Sequence, residues 1–493
     1  MLAPRCPVIH RTARRESCSA SETFGPAPRV GRGLPIPWVG RPRPLTRKPY
    51  SMILNTKTID PAGNASPRAT LVRSLGIAAV FIIPALVMRF SGMDARPVLL
   101  LLIYGAAVIG ASFLLAWAAE AAQIDVSGGL AIAVLALIAV LPEYAVDLYY
   151  AFTSGHNPVY VQYAAANMTG SNRLLMGIGW PVVVLIAVVV ARKSTGKPAR
   201  ALDLEPGNRV ELGFLLIAGI AAFLIPVSGH IHLIFGVALL AWFGFYLYKL
   251  SRGDVEEPDL IGAAAAIGGL PDRARRITVV AMFGVAAAVI LACAKPFANS
   301  LIDAGTELGV DQFLLVQWLA PLASEAPEFV IAILFAARGK GTAAIATLIS
   351  SKVNQWTLLV GSLPLAYLLG GGGTTLVLDP RQIEEMLLTA TQTLMGVAVI
   401  LALRFHRWSA WALLALFVIQ FPITSTTGRL ILCGAYAVIA LGALVVNRGH
   451  LLPTLTAPFI RRDLRRHSRT DRDAATVPPN LGIDGGSAPV KRT

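Results

Sequence analysis

Two short stretches hold most of the chemistry open to this chain. Leu141-Pro142-Glu143-Tyr144-Ala145-Val146-Asp147 and Ser324-Glu325-Ala326-Pro327-Glu328-Phe329 each set a proline and carboxylates among residues that are otherwise nearly all Ala, Ile, Leu and Val. Glu143 and Asp147 stand four apart and share a helix face; Ser324 and Glu328 stand in the same relation, with Glu325 three before Glu328. A charged group at membrane depth costs ~2.5–3.5 kcal/mol on insertion scales, so it is kept for a partner or a task. A proline at that depth frees backbone carbonyls, which is tolerable only where they face protein or a watery cavity. One such event in each half of the chain reads as two halves of one ion site.

Each stretch is followed by a second polar one. In Asn167-Met168-Thr169-Gly170-Ser171-Asn172, Asn167 and Ser171 share a face and Gly170 allows close helix approach. The later counterpart offers Thr347, Ser350, Ser351, Lys352 and Asn354. Carboxylate, amide, hydroxyl and carbonyl oxygens are hard ligands that suit Ca²⁺ or Na⁺ better than a soft metal. Lys352 and Arg173 are the cations available to offset Glu143, Asp147, Glu325 and Glu328. Ser350, Ser351 and Asn354 also have a plainer reading as interhelical hydrogen-bonding groups.

The elements that must position these residues follow from composition. With 493 residues, 55% hydrophobic and 14% charged, the chain is far too apolar for a soluble domain. Runs long enough to cross a hydrocarbon core recur at 74–90, 97–119, 126–154, 159–190, 210–227, 231–249, 277–298, 311–337, 341–369, 384–403, 408–423 and 428–446. The expectation is an all-α polytopic membrane protein of about twelve transmembrane helices. The spans at 126–154, 159–190, 311–337 and 341–369 exceed what a bilayer needs, as bent or broken helices do.

Charge sorts the connections. From a cytoplasmic N-terminus, the inside connections hold Arg192, Lys193, Lys197, Arg200 and Arg209, then Lys249, Arg252, Arg273, Arg275 and Arg276. The outside connection 299–310 holds Asp303 and Glu307 and no Lys or Arg. The positive-inside bias predicts a multi-pass protein of the cell (inner) membrane with both termini cytoplasmic. Spans two to six and seven to eleven then form two five-helix blocks that begin on opposite sides, an inverted repeat with its site at the interface; the first and last spans flank them.

The net charge of +15 does not indicate nucleic acid. Residues 1–51 hold ten Lys/Arg against two acids, and 447–493 nine against four, without interleaved aromatics or a binding motif. The expected organisation is a basic, disordered tail over 1–66, with Met52 a candidate start; a first membrane half over 67–249, its repeat at 126–190; a linker over 250–276; a second half over 277–446, its repeat at 311–369; and a disordered tail over 447–493. Lipid and inorganic cations are the partners implied. Cys6, Cys18, Cys293 and Cys433 show no metal-ligand spacing. His230 and His232 lack a third ligand, and Gly370–Gly373 is an outside turn without the Lys-Ser/Thr of a phosphate loop.

Pro-Glu in a broken helix followed by Asn-x-x-Gly-Ser-Asn resembles the first α-repeat of the sodium/calcium exchanger superfamily of cation/Ca²⁺ antiporters, and the later stretch is similar to its second, inverted repeat. The resemblance covers roughly residues 97–423. It implies that Glu143 and Glu328 bind calcium at the centre and that Asn167 and Ser171 contribute ligands. Asn172, Ser324, Glu325, Ser351 and Asp147 join them as candidate ion-site residues. Aligning the repeats sets Thr347 against Asn167, Ser350 against Gly170, Ser351 against Ser171 and Lys352 against Asn172. The family's Gly-Thr-Ser before Leu-Pro-Glu is Ile138-Ala139-Val140 here, and its second Gly-Ser-Asn is Ser350-Ser351-Lys352. An ammonium at Lys352 would take a cation position, which points to proton coupling or fewer transported ions. The implied function is secondary exchange of Ca²⁺ for Na⁺ or H⁺ by alternating access, with no cofactor. Na⁺/H⁺ exchange on the same fold is the nearest alternative. A membrane enzyme would want a nucleophile or metal centre beside the carboxylates, and a non-transporting relative would have its site plugged by Lys352.

Overall fold

Capping chemistry sets where the helices start. Ser66 accepts from the Ala69 amide ahead of Pro67, and Asp379 and Gln382 form a reciprocal capping box around Pro380. Asp311 and Ser425 cap two further helices. The computed structural model describes residues 66–125, 140–196, 198–252 and 260–460. In order these form α1 (Pro67–Ser91), α2 (Pro97–Ala122), α3 (Leu141–Ser154), α4 (Tyr160–Leu174), a π-helical turn (Leu175–Gly179), α5 (Trp180–Thr195), β1 (Ala201–Asp203), α6 (Asn208–Ala221), α7 (Leu224–Ser228), β2 (His230–His232) and α8 (Leu233–Leu250). Then follow α9 (Gly262–Gly268), α10 (Asp272–Leu308), α11 (Gln312–Ala337), α12 (Gly341–Asn354), a second π-helical turn (Gln355–Leu359), α13 (Val360–Leu369), β3 (Thr375–Val377), α14 (Pro380–Ile400), β4 (Arg404–His406), α15 (Arg407–Ile419), α16 (Thr426–Val446) and α17 (Arg448–Thr456).

Nine helices among the described residues are long and apolar enough to cross a membrane, against the twelve spans expected. Of the other three, one is described only in part and two are too polar or too short. Residues 126–139, ahead of α3, lie outside the described residues; α12 to α13 contains Lys352 and Asn354; and α15 has only 13 residues. Outward side chains such as Val80, Phe90, Ile234, Val438 and Val446 are more than two-thirds exposed, a surface made for acyl chains.

Inside, small residues let the helices approach. Ala107, Ala111 and Ala118 of α2 and Ala286, Ala298 and Ala304 of α10 are fully buried where these two helices lie together. Gly170 of α4 packs against α11 so closely that a Cβ there would overlap the Gln317 carbonyl. Only glycine fits.

Contacts between helix ends sort them onto two faces. β1 pairs with β4 and β2 with β3, both antiparallel. Arg275 and Arg276 bond Asp125 on the first face, where α17 also packs on α6 and Lys249 reaches the Ile460 carbonyl. On the second face Arg381 pairs with Asp311 at 2.6 Å, and Glu307 accepts from the Val98 amide. Every one of these contacts joins ends that the sequence places on the same side.

Three expectations change. α11 runs unbroken through Pro321 and Pro327, buried against α4, with the hydroxyl of Ser324 turned back onto the carbonyls of Ala320 and Pro321. Part of the expected linker is the packed helix α9, with Ala264 and Ile267 fully buried. The start of the expected disordered tail is α17: Thr454 is buried, accepts from Arg209 and lies against Gly213 of α6, while Phe459 stacks near Trp242 and Phe245. The tail expectations for residues 1–65 and 461–493 lie outside the described residues.

Candidate ion site

Pro142 occupies the second position of α3, where its missing N–H costs nothing, and places Glu143 in the first helical turn. Helical spacing then aims Asp147 to the same side one turn later. Both are buried, Asp147 completely. α4 brings Asn167 and Ser171 to face them. The Glu143 carboxyl lies against Ser171, Glu325 and Gln355, with Glu328 beyond, and Asp147 lies against Asn167.

The other wall comes from α11 and α12. Ser351 donates to Glu328 at 2.7 Å and Gln355 donates to Glu325. Tyr144 of α3 donates to Asn354 at 2.9 Å, tying the two walls together. Glu325 is buried and Glu328 partly so. Lys352 is fully buried; its ammonium donates to the Asn172 carbonyl at 2.5 Å and to Asn172 Oδ1 at 2.9 Å, and stands 5.8 Å from the Trp356 ring.

Seven buried oxygens here have no hydrogen-bond donor: Glu143 Oε1, both carboxylate oxygens of Asp147, Asn167 Oδ1, Ser171 Oγ, Glu325 Oε2 and Gln355 Oε1. Buried acceptors are ordinarily satisfied, and leaving one unpaired costs about 1–3 kcal/mol. A concentration of hard, unpaired oxygens suits a hard cation. Among the described residues, no three His, Cys, Asp or Glu side chains converge on one point. The carboxyls are neighbours rather than a closed cage, so hydroxyl and amide oxygens would complete any coordination.

The two π-helical turns place these groups alike. Leu175–Gly179 and Gln355–Leu359 are related by the offset of 180 residues that also relates Asn172 to Lys352. The equivalent positions 172 and 352 therefore bond each other across the site.

Of the residues singled out in the sequence, Glu143, Asp147, Asn167, Ser171, Asn172, Glu325, Glu328, Ser351 and Lys352 come together. Arg173 does not join them. It follows Asn172 but points about 100° away around α4, where Glu385 and Gln420 engage its guanidinium. Ser324 turns its hydroxyl back on its own helix, Thr347 is exposed, and Ser350 bonds Tyr246 at 2.6 Å. Gln355 was missed, although it stands one turn after Ser351 on the same face. Glu385 and Gln317 were missed as well, because their partners lie on distant helices.

The family model for sodium/calcium exchanger protein matches residues 96–251 and 278–423, two segments that coincide with the two five-span blocks. Among solved structures, an H⁺/Ca²⁺ exchanger, CAX, is 36% identical, with a TM-score of 0.75 over 80% of this chain and 98% of that one. A Ca²⁺/H⁺ antiporter protein, YfkE, is 14% identical, with a TM-score of 0.51 over 74% of this chain and 99% of that one, a likeness of fold alone. No curated protein matches this sequence.

Proposed function

The chain belongs to the sodium/calcium exchanger protein family and is a cation/Ca²⁺ antiporter, and we propose that it exchanges Ca²⁺ for protons at the site between α3, α4, α11 and α12. The observation that carries this reading is the set of seven unpaired buried oxygens around Glu143 and Glu325. Glu143 and Glu328 supply the charge for the ion; Ser171, Asn167, Asp147, Glu325, Ser351 and Gln355 supply further oxygens.

Charge balance favours protons as the counter-ion. Four carboxyls face one ammonium, and a dry site does not sustain three uncompensated negative charges. Ca²⁺ offsets two of them, and protons or monovalent cations must take over that compensation when it leaves. Lys352 already fills the position that Asn172 marks in the other half, which leaves less room for sodium. The 36% identity to an H⁺/Ca²⁺ exchanger supports the same choice.

The two segments act as an inverted repeat over 97–249 and 277–423 in this reading, supported by the shared offset of the π-turns and by the sorting of helix ends onto two faces. Alternating access would expose the site to each side in turn. The basic loops put the β1–β4 face in the cytoplasm of a cell whose membrane the protein spans.

Reconstituted vesicles test the reading. Ca²⁺ uptake should follow an imposed pH gradient and ignore a sodium gradient, and Glu143→Gln and Glu328→Gln should abolish it. Uptake that requires sodium and disregards pH would replace protons with sodium; no cation flux at all would remove the antiporter.

A further inference from the structure

The central site leaves one deeply buried carboxyl without a role. Glu385 of α14 accepts from Gln317 Nε2 at 3.1 Å and pairs with Arg173 of α4 and with Arg429 of α16 at 3.2 Å. Arg173 also donates to Gln420 and stands 5.1 Å from the Trp318 ring. The cluster floors a cavity of about 530 Å³ at the beginnings of α11, α14 and α16. Side-chain exposure falls from 42% at Asp311 to 3% at Glu385, so the cavity deepens from a wet rim to a dry floor. It lies on the face opposite the basic loops.

That floor meets the central site through α4. Arg173 follows Asn172, whose two oxygens hold the Lys352 ammonium. Gln317 joins Glu385 to Thr169 of the same helix. At the equivalent position of the second half stands Val353, so nothing mirrors the ion pair.

We propose that Glu385 binds the coupling proton arriving through this cavity, and that Arg173 conveys its presence to the Lys352 end of the central site. The assignment rests on the Ca²⁺/H⁺ reading above. A hydronium in the cavity gives its proton to a Glu385 carboxylate oxygen and leaves as water; no other bond changes. Arg173 and Arg429 then face only the charge of Glu384. One unmatched positive charge stands one residue from the group holding Lys352. It disfavours Ca²⁺ beside Glu143 and Glu325, and by linkage Ca²⁺ there disfavours the proton on Glu385 by the same factor. The remaining charged neighbours are Arg381 on α14 itself and Asp311 ahead of α11, paired with each other. Cys433 and Tyr436 of α16 lie against Arg173. Gln420, just past the end of α15, is neutral, and α6 packs against the far half of α14 through Gly219 and Thr393.

The test compares two fluxes of the full-length protein in vesicles: Ca²⁺ uptake driven by a pH gradient, and exchange of labelled for unlabelled Ca²⁺ at equal pH. The second needs the central site and alternating access but no net proton movement. Glu385→Gln imitates the protonated carboxyl. It should cut proton-driven uptake at least tenfold, keep Ca²⁺/Ca²⁺ exchange at saturating Ca²⁺ within twofold, and fix the Ca²⁺ affinity at its acid-side value at every pH. Glu385→Asp should recover part of the proton-driven uptake. Equal loss of both fluxes in Glu385→Gln would reduce the pair to a structural tie, and loss of neither would place the proton elsewhere; each overturns the proposal. A wild type without proton-driven uptake would instead overturn the Ca²⁺/H⁺ reading on which it rests.

Discussion

In the first half of the chain Pro142 stands at the start of α3, whereas in the second Pro327 lies within the unbroken α11, each with its glutamate one residue on. At a helix start the missing N–H is an orphan already; inside, it withdraws a donor from the carbonyl four residues back. The halves differ again across the π-turns. Asn172 faces Lys352, Arg173 corresponds to Val353, and Leu175 corresponds to Gln355. Backbone geometry is shared while the polar groups are divided. The first half supplies five of the seven unpaired oxygens and the second two, while the buried ammonium comes from the second half alone and is held by Asn172 of the first. A site built this way has a direction.

The largest test of that division removes one carboxylate from each half. Glu143→Gln and Glu328→Gln should each lower Ca²⁺ flux by at least ~100-fold, the upper end of what even an outer-shell partner of a metal site contributes. If one variant transports normally, the halves do not share the ion. Next comes the pair of equivalent residues that bond each other. Lys352→Asn makes positions 172 and 352 identical and deletes a positive charge beside the carboxyls. Ca²⁺ should bind ~10-fold tighter, since ~1.4 kcal/mol of charge repulsion is removed, and exchange should begin to respond to sodium. Titration of Ca²⁺ affinity with and without sodium reads both effects; unchanged affinity would leave Lys352 as a packing residue.

Much of this site was legible in the sequence because membrane depth makes polar residues conspicuous. Glu143, Asp147, Asn167, Ser171, Glu325 and Glu328 stood out as costly groups among apolar ones, and the register between halves could be set from Ser171 and Ser351. Arg173 was misplaced for a reason the one-dimensional pattern conceals. Consecutive residues on a helix differ by about 100° in direction, so Asn172 and Arg173 point into different clusters. The short strands, α9 and α17 were not legible either. Their hydrogen bonds and apolar partners come from distant segments: His230–His232 finds Thr375–Val377, and Phe459 finds Trp242.

A smaller effect comes from equivalent positions 170 and 350. Gly170→Ala sets a Cβ into the Gln317 carbonyl, a backbone atom that cannot swing aside, and should cost ~1–3 kcal/mol. Ser350→Ala loses only its hydrogen bond with Tyr246, about 0.5–1.5 kcal/mol. Thermal unfolding in detergent should rank the first well below the second. The reverse order would show that α4 and α11 have room to separate.

The smallest expected effect compares the two faces. On one, Arg275 and Arg276 both bond Asp125; on the other, a single Arg381 pairs with the more exposed Asp311. The hydrogen bonds from Arg275 above all, resisted in part by burial and joined by Arg276, hold the Asp125 carboxyl well below the usual carboxylate range. A depressed carboxyl stabilises the fold while it is ionised, so this contribution is present at neutral pH. It fades as pH falls below about 4 toward the folded-state value. Asp125→Asn should therefore lower Tm modestly at pH 7, with the gap to wild type closing in acid. Asp311→Asn keeps a competent helix cap and removes only an exposed pair, so its shift should be smaller and vanish in high salt. Equal shifts for the two variants would mean that the doubled arginine clasp holds its face no more firmly than the single pair holds the other.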